Sequence, residues 1–223
     1  MNTNKQSWES IYRNGNSCLK YPSQTLVILY HRVKMYLPKT VTCLDYGFGS
    51  GNNSEFLIEK VDAFYGVETS PSAKEITCKR LKNYAVFKKE NLILVSSDDY
   101  IESYSNKFDL IVAWNVVDYN TLETLKATIN NLFGYLKKTG ILIVTMATQN
   151  DTSQKNSTPL SHNTYLLNNN INGQAGCTVV IPQNEKEFEA YFHQFKVRDI
   201  GCEERISYKK NDFYSHYYGV FEK

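Results

Sequence analysis

Three glycines at alternating positions follow a short apolar run, and one acid stands between the run and the glycines. The run covers 41–44, the acid is Asp45, and the glycines are Gly47, Gly49 and Gly51. Glycine suits this place because the backbone must turn sharply, adopt positive φ and approach a ligand with no side chain between. The pattern predicts a buried strand that leads into a ligand-binding turn at its carboxyl end.

The spacing of the glycines and the position of two acids limit the chemistry of the ligand. A dinucleotide-binding turn has its third glycine three residues after the second, and that position here is Asn52. Asp45 is a poor neighbour for a pyrophosphate because like charges repel, whereas it suits an amine and a sulfonium. Glu68 ends the next apolar stretch, where a carboxylate can accept hydrogen bonds from both hydroxyls of a ribose.

The segment Leu44-Asp45-Tyr46-Gly47-Phe48-Gly49-Ser50-Gly51, taken with Glu68, resembles the class I S-adenosylmethionine-dependent methyltransferases. The resemblance implies that S-adenosylmethionine is the cofactor and S-adenosylhomocysteine the product. It also implies that Glu68 and Thr69 contact the ribose. The residues implied to hold the methionine part are Asp45, Gly47, Phe48, Gly49, Gly51 and Asn52.

Strand and helix patterns alternate along most of the chain. The predicted strands are 41–46, 62–68, 92–96, 108–114, 141–145, 196–206 and 213–221. A helix over 121–138 is expected to be capped by Asn120 and stopped by Gly140, and 147–177 has no clear periodicity. Right-handed crossovers then give an α/β fold, a three-layer doubly wound sheet with helices on both faces. We expect seven mostly parallel strands, with the last one antiparallel at the edge.

Two further strand ends carry polar groups that the resemblance places at the cofactor. Ser97, Asp98 and Asp99 follow the third strand, and an acid there is implied to bind the adenine amino group. Asp98 is our choice and Asp99 its rival, while capping of the following turn is the simpler alternative. Asn115 and Val116 follow the fourth strand and should lie against the sulfonium end.

The first 38 residues contain aromatic side chains that precede the core. Trp8, Tyr12 and Tyr21 resemble the lid segment of small-molecule and glycan-type methyltransferases. Such a lid would exclude water from the reacting groups. The alternative is that these aromatic residues only pack on the edge of the sheet.

Methyl transfer from a sulfonium is a direct displacement that depends mainly on alignment. A base matters where the acceptor holds its proton, as a hydroxyl does. The candidates for that base are His162, in the polar stretch after the fifth strand, and Asp118, while Tyr119 could orient the acceptor. The other histidines, including His216, are interpreted as surface or packing residues.

Composition narrows the class of protein. The 223 residues carry 25 Lys and Arg against 23 Asp and Glu, and their net charge of +2 argues against a nucleic-acid surface. No apolar stretch is long enough to span a membrane, and no leader is visible at the start, so a cytoplasmic location is expected. The five cysteines are scattered, so no metal site is predicted. The oligomeric state stays open.

We expect a single methyltransferase domain over 1–223. It comprises a lid (1–38), a cofactor-binding core (39–146), a polar substrate-side insertion (147–182) and a carboxyl-terminal helix with a strand hairpin (183–223). The acceptor is expected to be a small polar molecule such as a sugar or glycan precursor, with O-methylation favoured over N-methylation. The alternatives are a non-catalytic cofactor-binding module, a nucleic-acid methyltransferase and, disfavoured by Asp45 and Asn52, a nicotinamide-dependent oxidoreductase.

Overall fold

A computed structural model of the chain describes residues 4–96, 99–168, 173–209 and 211–223. The described residues form a large sheet and a small one. The strands are β1 (Thr42–Tyr46), β2 (Ala63–Glu68), β3 (Leu92–Leu94), β4 (Phe108–Ala113), β5 (Leu136–Ala147), β6 (Ser157–Ser161), β7 (Thr164–Leu167), β8 (Thr178–Val180), β9 (Lys196–Ser207) and β10 (Asp212–Glu222).

Several of the helices begin at polar caps that the sequence supplies. Ser23 and Ser70 each accept a hydrogen bond from a backbone N–H in the first turn of the helix that follows. None of the helices in the described part is both long and apolar enough to cross a membrane. The α-helices are α1 (Asn4–Arg13), α2 (Gln24–Val33), α3 (Asn52–Ile58), α4 (Pro71–Leu81), α5 (Leu122–Tyr135), α6 (Thr152–Lys155) and α7 (Glu185–Tyr191).

The large sheet has seven strands in the order β3-β2-β1-β4-β5-β10-β9. The pairs among β1 to β5 are parallel, while β10 is antiparallel to both β5 and β9. The predicted fold class is therefore confirmed. The expected edge position of the reversed strand is wrong, because β9 occupies the edge and β10 returns along the hairpin into the space beside β5.

Strand β4 shows why the sheet must be covered on both faces. All six of its residues are buried. Ile111 and Ala113 pack in one apolar cluster, and Leu110 and Val112 pack in the other. A strand with apolar side chains on both faces is stable only between two layers of helices, so β4 is a central strand.

The boundary between α5 and β5 differs from the prediction. The helix ends at Tyr135 and the strand begins at Leu136, so Gly140 lies inside a strand and stops no helix. Leu136 pairs with Phe108 of β4, and this partner draws the chain out of the helix earlier than its own sequence suggests. The capping residue also differs from the prediction. It is Thr121, not Asn120, whose side chain accepts the hydrogen bond from Thr124 N.

The stretch without periodicity folds as an ordered subdomain over its described residues. Strands β6, β7 and β8 form an antiparallel sheet, and α6 precedes it. Tyr165 and Leu167 of β7 pack in a small buried cluster with Ala147, at the end of β5. This contact fixes the small sheet beside the carboxyl ends of the large one.

Candidate active site

Two adjacent cavities open at the carboxyl ends of the parallel strands. The smaller cavity has a volume of about 490 Å³ and the larger about 830 Å³, both within the usual range for small-molecule sites. Five residues line both cavities and so form the wall between them. They are Trp8, Tyr12, Gly47, Asn115 and Tyr119.

The glycine turn after β1 lies at this shared wall and is tightly packed from behind. Gly47, Gly49 and Gly51 all have positive φ, at 76°, 51° and 77°. A Cβ on Gly47 would stand 2.3 Å from Cγ2 of Val116, and one on Gly49 would stand 2.5 Å from the Tyr12 hydroxyl oxygen. The turn therefore excludes side chains at these positions, as a backbone-lined ligand site requires.

Glu68, at the end of β2, holds the turn in place and lines the smaller cavity. One of its carboxylate oxygens accepts a hydrogen bond from the Gly49 N–H at 3.0 Å. The other accepts from the N–H groups of Thr69 at 2.7 Å and Ser70 at 3.1 Å. Burial raises the pKa of Glu68, and the backbone hydrogen bonds oppose that rise. Since each carboxylate oxygen has two lone pairs, the first oxygen can still accept from a ligand hydroxyl.

Asp45, at the end of β1, lines the larger cavity and is only 2% exposed. Its Oδ2 accepts a hydrogen bond from the Ser54 hydroxyl at 2.6 Å. Burial raises the pKa of Asp45 to about 7; Ser54 opposes this rise and Glu68 adds to it. The site therefore contains a buried carboxyl group whose ionised form a cationic ligand would stabilise.

Asn115 projects into the shared wall from the end of β4. Its φ is 54°, which is uncommon for a residue other than glycine, although asparagine adopts it more readily than most. The backbone N–H donates to Thr145 Oγ1 at 2.8 Å, and that hydroxyl donates to Asn115 Oδ1 at 2.9 Å. The side-chain amide is thus fixed at the point where the two cavities meet.

A family model described as a methyltransferase domain matches residues 22–195. This chain belongs to the class I S-adenosylmethionine-dependent methyltransferases. Its cofactor is S-adenosylmethionine, and the chemistry of the site is compatible with that molecule, because a bare glycine turn, a buried carboxyl group on Asp45 and a carboxylate on Glu68 with a free lone pair lie there. Among curated proteins, no sequence matches the methyltransferase significantly.

Solved structures share the fold of the methyltransferase at low sequence identity. The N-methyltransferase NodS from Bradyrhizobium japonicum, in complex with S-adenosylhomocysteine, is 15% identical with a TM-score of 0.68, over 99% of this chain and 98% of its own. The 1,6-didemethyltoxoflavin-N1-methyltransferase from Burkholderia thailandensis is 11% identical with a TM-score of 0.68, over 98% and 86%. A protein that converts a disulfide bond into a thioacetal group in echinomycin biosynthesis is 11% identical with a TM-score of 0.71, over 98% and 91%.

Helix α1 covers both cavities of the methyltransferase and is attached at two places. Glu9 accepts hydrogen bonds from the Ser70 hydroxyl at 2.6 Å and the Ser72 N–H at 3.1 Å, at the start of α4. The side-chain amide of Asn4 bonds to the backbone N–H and carbonyl of Thr178 in β8, both at 2.8 Å. The ring of Trp8 on this helix lies edge-on to Tyr119, with centroids 5.0 Å apart. These contacts place the aromatic residues over the site.

Apart from those that follow β3, the remaining predicted cofactor and lid residues are divided between the two cavities, and one of them lines neither. Thr69 and Val116 line the smaller cavity, whereas Phe48, Asn52 and Tyr21 line the larger one. Asn52 donates a hydrogen bond from its amide to the Tyr21 carbonyl at 3.0 Å, which ties the turn to the segment after α1. Gly51 lines neither cavity and serves as the left-handed cap of α3.

Of the two predicted adenine-binding acids, Asp99 alone lies among the described residues, and it lines neither cavity. Ser97 and Asp98 lie outside the residues that the structure describes. Asp99 is exposed, and its Oδ2 accepts a hydrogen bond from the Ser96 N–H at 3.2 Å. Its position is that of a local turn cap, which was the simpler alternative.

The two predicted bases lie away from both cavities. His162 is in the turn between β6 and β7, with 72% of its side chain exposed and its Nε2 3.0 Å from Glu187 Oε1. Asp118 is fully buried, and its Oδ2 accepts from the Ala147 N–H at 3.0 Å. Neither side chain is placed to take a proton from a molecule in the larger cavity.

The sequence reading missed the contribution of the carboxyl-terminal hairpin. Tyr214 and His216 of β10, with Glu203 and Arg205 opposite them on β9, line the larger cavity. Asp151, the cap of α6, joins them there. One feature of the sequence could have predicted part of this arrangement. Residues 214 and 216 are two positions apart in a strand, so their side chains lie on the same face.

Binding of S-adenosylhomocysteine is expected to release a proton from Asp45 at about pH 6 and almost none at about pH 9. The pKa of Asp45 is raised to about 7, so the side chain is mostly protonated at the lower pH, and the cationic amine of the ligand favours the carboxylate. Affinity therefore falls as pH falls below 7. Calorimetry in two buffers of different ionisation enthalpy measures the release, and an equal release from Asp45→Asn would assign the proton to another group.

Proposed function

We propose that this methyltransferase methylates a hydroxyl group of a small polar molecule, such as a sugar or a related metabolite, held in the larger cavity. S-adenosylmethionine supplies a methyl group that is activated by its positively charged sulfur. The supporting observation is the shared wall at Gly47 and Asn115. Glu68 lines the smaller cavity and Asp45 the larger, so a cofactor held by both passes this wall and meets there an acceptor in the rest of the larger cavity.

Alignment at the shared wall accounts for most of the expected rate enhancement. Holding two reactants in line for displacement contributes about 7–11 kcal/mol. Asn115 is fixed by its bonds to Thr145, so a polar group contacts the reactants without reorganisation. Trp8 and Tyr12 of α1 cover the wall and keep water from the reacting groups.

The charges around the larger cavity disfavour a nucleic-acid acceptor. Among the described residues that line it, four have a carboxyl group and two have a side chain that is cationic at neutral pH, in addition to the imidazole of His216: Asp45, Asp151, Glu203, Asp212, Lys20 and Arg205. A phosphate backbone requires a basic surface. An excess of carboxylates favours a neutral or cationic molecule instead.

The uncharged lining favours an acceptor rich in hydroxyl groups. Amide and hydroxyl side chains both donate and accept hydrogen bonds, which matches the two-way bonding of a sugar hydroxyl. They include Asn52, Asn53, Thr152, Ser153, Asn156 and Gln174.

An amine acceptor is the second candidate. Oε2 of Glu203 is enclosed and has no hydrogen-bond partner among the described residues, so it could hold an ammonium group. Two of the solved structures with this fold are N-methyltransferases by their descriptions.

A panel of monosaccharides, polyols, phenols and amines, incubated with methyl-labelled S-adenosylmethionine, tests the proposal. We expect a labelled methyl ether, identified by mass spectrometry of the product. Label found only on nitrogen would contradict the hydroxyl acceptor and support an amine acceptor instead. Tight binding of S-adenosylhomocysteine with no turnover on the whole panel would favour a cofactor-binding module.

A further inference from the structure

His216 is a buried imidazole at the wall of the larger cavity. The residue is 6% exposed, and its ring centroid lies 4.2 Å from that of Tyr214. Its Nδ1 is enclosed, has no hydrogen-bond partner among the described residues, and lies 4.0 Å from Asp151 Oδ2. Because Nδ1 is enclosed, Nε2 is the ring nitrogen left for a molecule in the cavity. Burying a ring nitrogen without a hydrogen-bond partner costs free energy. This cost indicates that the imidazole serves a function at the cavity.

We propose that His216 accepts the proton of the acceptor during methyl transfer and that the nearby Asp151 carboxylate stabilises the positive charge that then forms on its ring. The inference rests on the proposed function, because it assumes that the acceptor occupies the larger cavity. It assigns the base to the hairpin and not to His162 or Asp118.

Asp151 is held so that its carboxylate stays beside the ring. Its Oδ1 accepts hydrogen bonds from the Ser153 N–H at 2.8 Å and the Ser153 hydroxyl at 2.6 Å. Its Oδ2, the oxygen nearest to His216, accepts from the Ser215 N–H at 2.9 Å. At 4.0 Å from Nδ1, this carboxylate makes no hydrogen bond to the ring, but its charge stabilises the imidazolium that forms when a proton arrives.

Burial of His216 keeps its ring neutral before the reaction. Burial lowers the pKa of His216 to about 4, Asp151 acts in the opposite direction, and Arg205 of β9 adds to the lowering. Glu203 stands directly opposite His216 in the β9–β10 register, and Tyr214 lies beside it on β10. A neutral ring at neutral pH is the form that can accept a proton.

The proposed step balances in atoms and charge. The acceptor oxygen forms a bond to the methyl carbon while its proton passes to Nε2 of His216. The bond between carbon and sulfur breaks, and its electron pair stays on sulfur, which leaves a neutral thioether. The imidazolium then returns its proton to solvent.

Proton NMR of the histidine rings in the cofactor-free enzyme gives the first test. His216→Gln identifies the resonance, which we expect to stay neutral down to about pH 5, and Asp151→Asn should lower its midpoint further because a favourable charge is lost. His193, exposed at the end of α7, serves as the reference. A resonance of His216 that titrates near the ordinary histidine pKa of about 6.5 and does not respond to Asp151→Asn would overturn the pairing.

Kinetics give the second test, with whichever acceptor the panel identifies, hydroxyl or amine. His216→Gln should lower kcat by ~10²–10⁴-fold, leave the Kd of S-adenosylhomocysteine unchanged and remove the acidic limb of the pH–rate profile. Asp151→Asn should shift that limb to lower pH, and His193→Gln should resemble the wild type. Full kcat in His216→Gln, or loss of the limb in Glu203→Gln instead, would overturn the proposal. If only amines are methylated, the proposed hydroxyl acceptor is wrong. The kcat of His216→Gln with the amine then still tests whether His216 accepts the proton.

Discussion

Glu68→Gln is expected to weaken binding of S-adenosylhomocysteine by ~100-fold, through the loss of charge-assisted hydrogen bonds worth about 1.5–3 kcal/mol each. The carboxylate lines the smaller cavity and already faces three backbone N–H groups. The amide of Glu68→Gln has an NH₂ group in place of one carboxylate oxygen, and this donor would face backbone N–H groups that are also donors. It also offers a weaker acceptor to the ribose hydroxyls. Calorimetric titration of both proteins measures the change.

The control for this prediction is Glu75→Gln on α4. Glu75 is exposed and paired with Lys79 on the same helix, so it loses the same charge at a distance from the cavities. We expect its Kd for S-adenosylhomocysteine to equal that of the wild type. Equal affinities for the wild type and Glu68→Gln would exclude Glu68 from the ribose site, provided that a melting experiment shows the variant to be folded.

The geometry of the glycine turn and of the acids beside it could be predicted from sequence because its signals are local. The glycine turn, Asp45 and Glu68 each follow directly from the strand that precedes them, and strand ends in an open α/β sheet converge on one edge. The order of strands and helices along the chain predicted the architecture of the large sheet, apart from the position of the reversed strand.

The boundary at Leu136 could not be predicted because a distant partner decides it. The apolar stripe of α5 and the lysines after it favour a continuing helix. Pairing of Leu136 with Phe108 and the hydrogen bonds from Lys137 Nζ to Asp109 favour the strand instead. Tertiary contacts of this kind commonly override local propensity.

The acceptor half of the site depends on residues far apart in the chain. Asp151 and His216 come together only because β10 returns beside β5, where His216 pairs with Ala147. A histidine on a terminal strand has no local feature that separates packing from catalysis. For the same reason His162 was a plausible candidate from its polar surroundings, although the β6–β7 turn carries it away from both cavities.

Gly47→Ala is expected to destabilise the fold by about 2–5 kcal/mol, since a left-handed residue costs about 1–2 kcal/mol and overpacking adds about 1–3 kcal/mol. The φ of Gly47 is 76°, and an added Cβ would stand 2.3 Å from Val116 Cγ2 and 2.7 Å from its Cβ. Because Gly47 lines both cavities, relief of this clash must move the turn or Asn115. We therefore expect S-adenosylhomocysteine binding to be lost as well, measured by urea denaturation and calorimetry.

Gly15→Ala separates the two contributions to this effect. Gly15 has a similar φ of 73° but no atom within 4 Å of an added Cβ, so it carries the backbone cost without the clash. Its loss of stability should be about 1–2 kcal/mol, with binding unchanged. Equal losses in the two variants would show that the contact with Val116 contributes nothing. Wild-type affinity in a folded Gly47→Ala protein would contradict the assignment of the turn to the cofactor, because a displaced turn could not hold the ligand that the bare backbone holds.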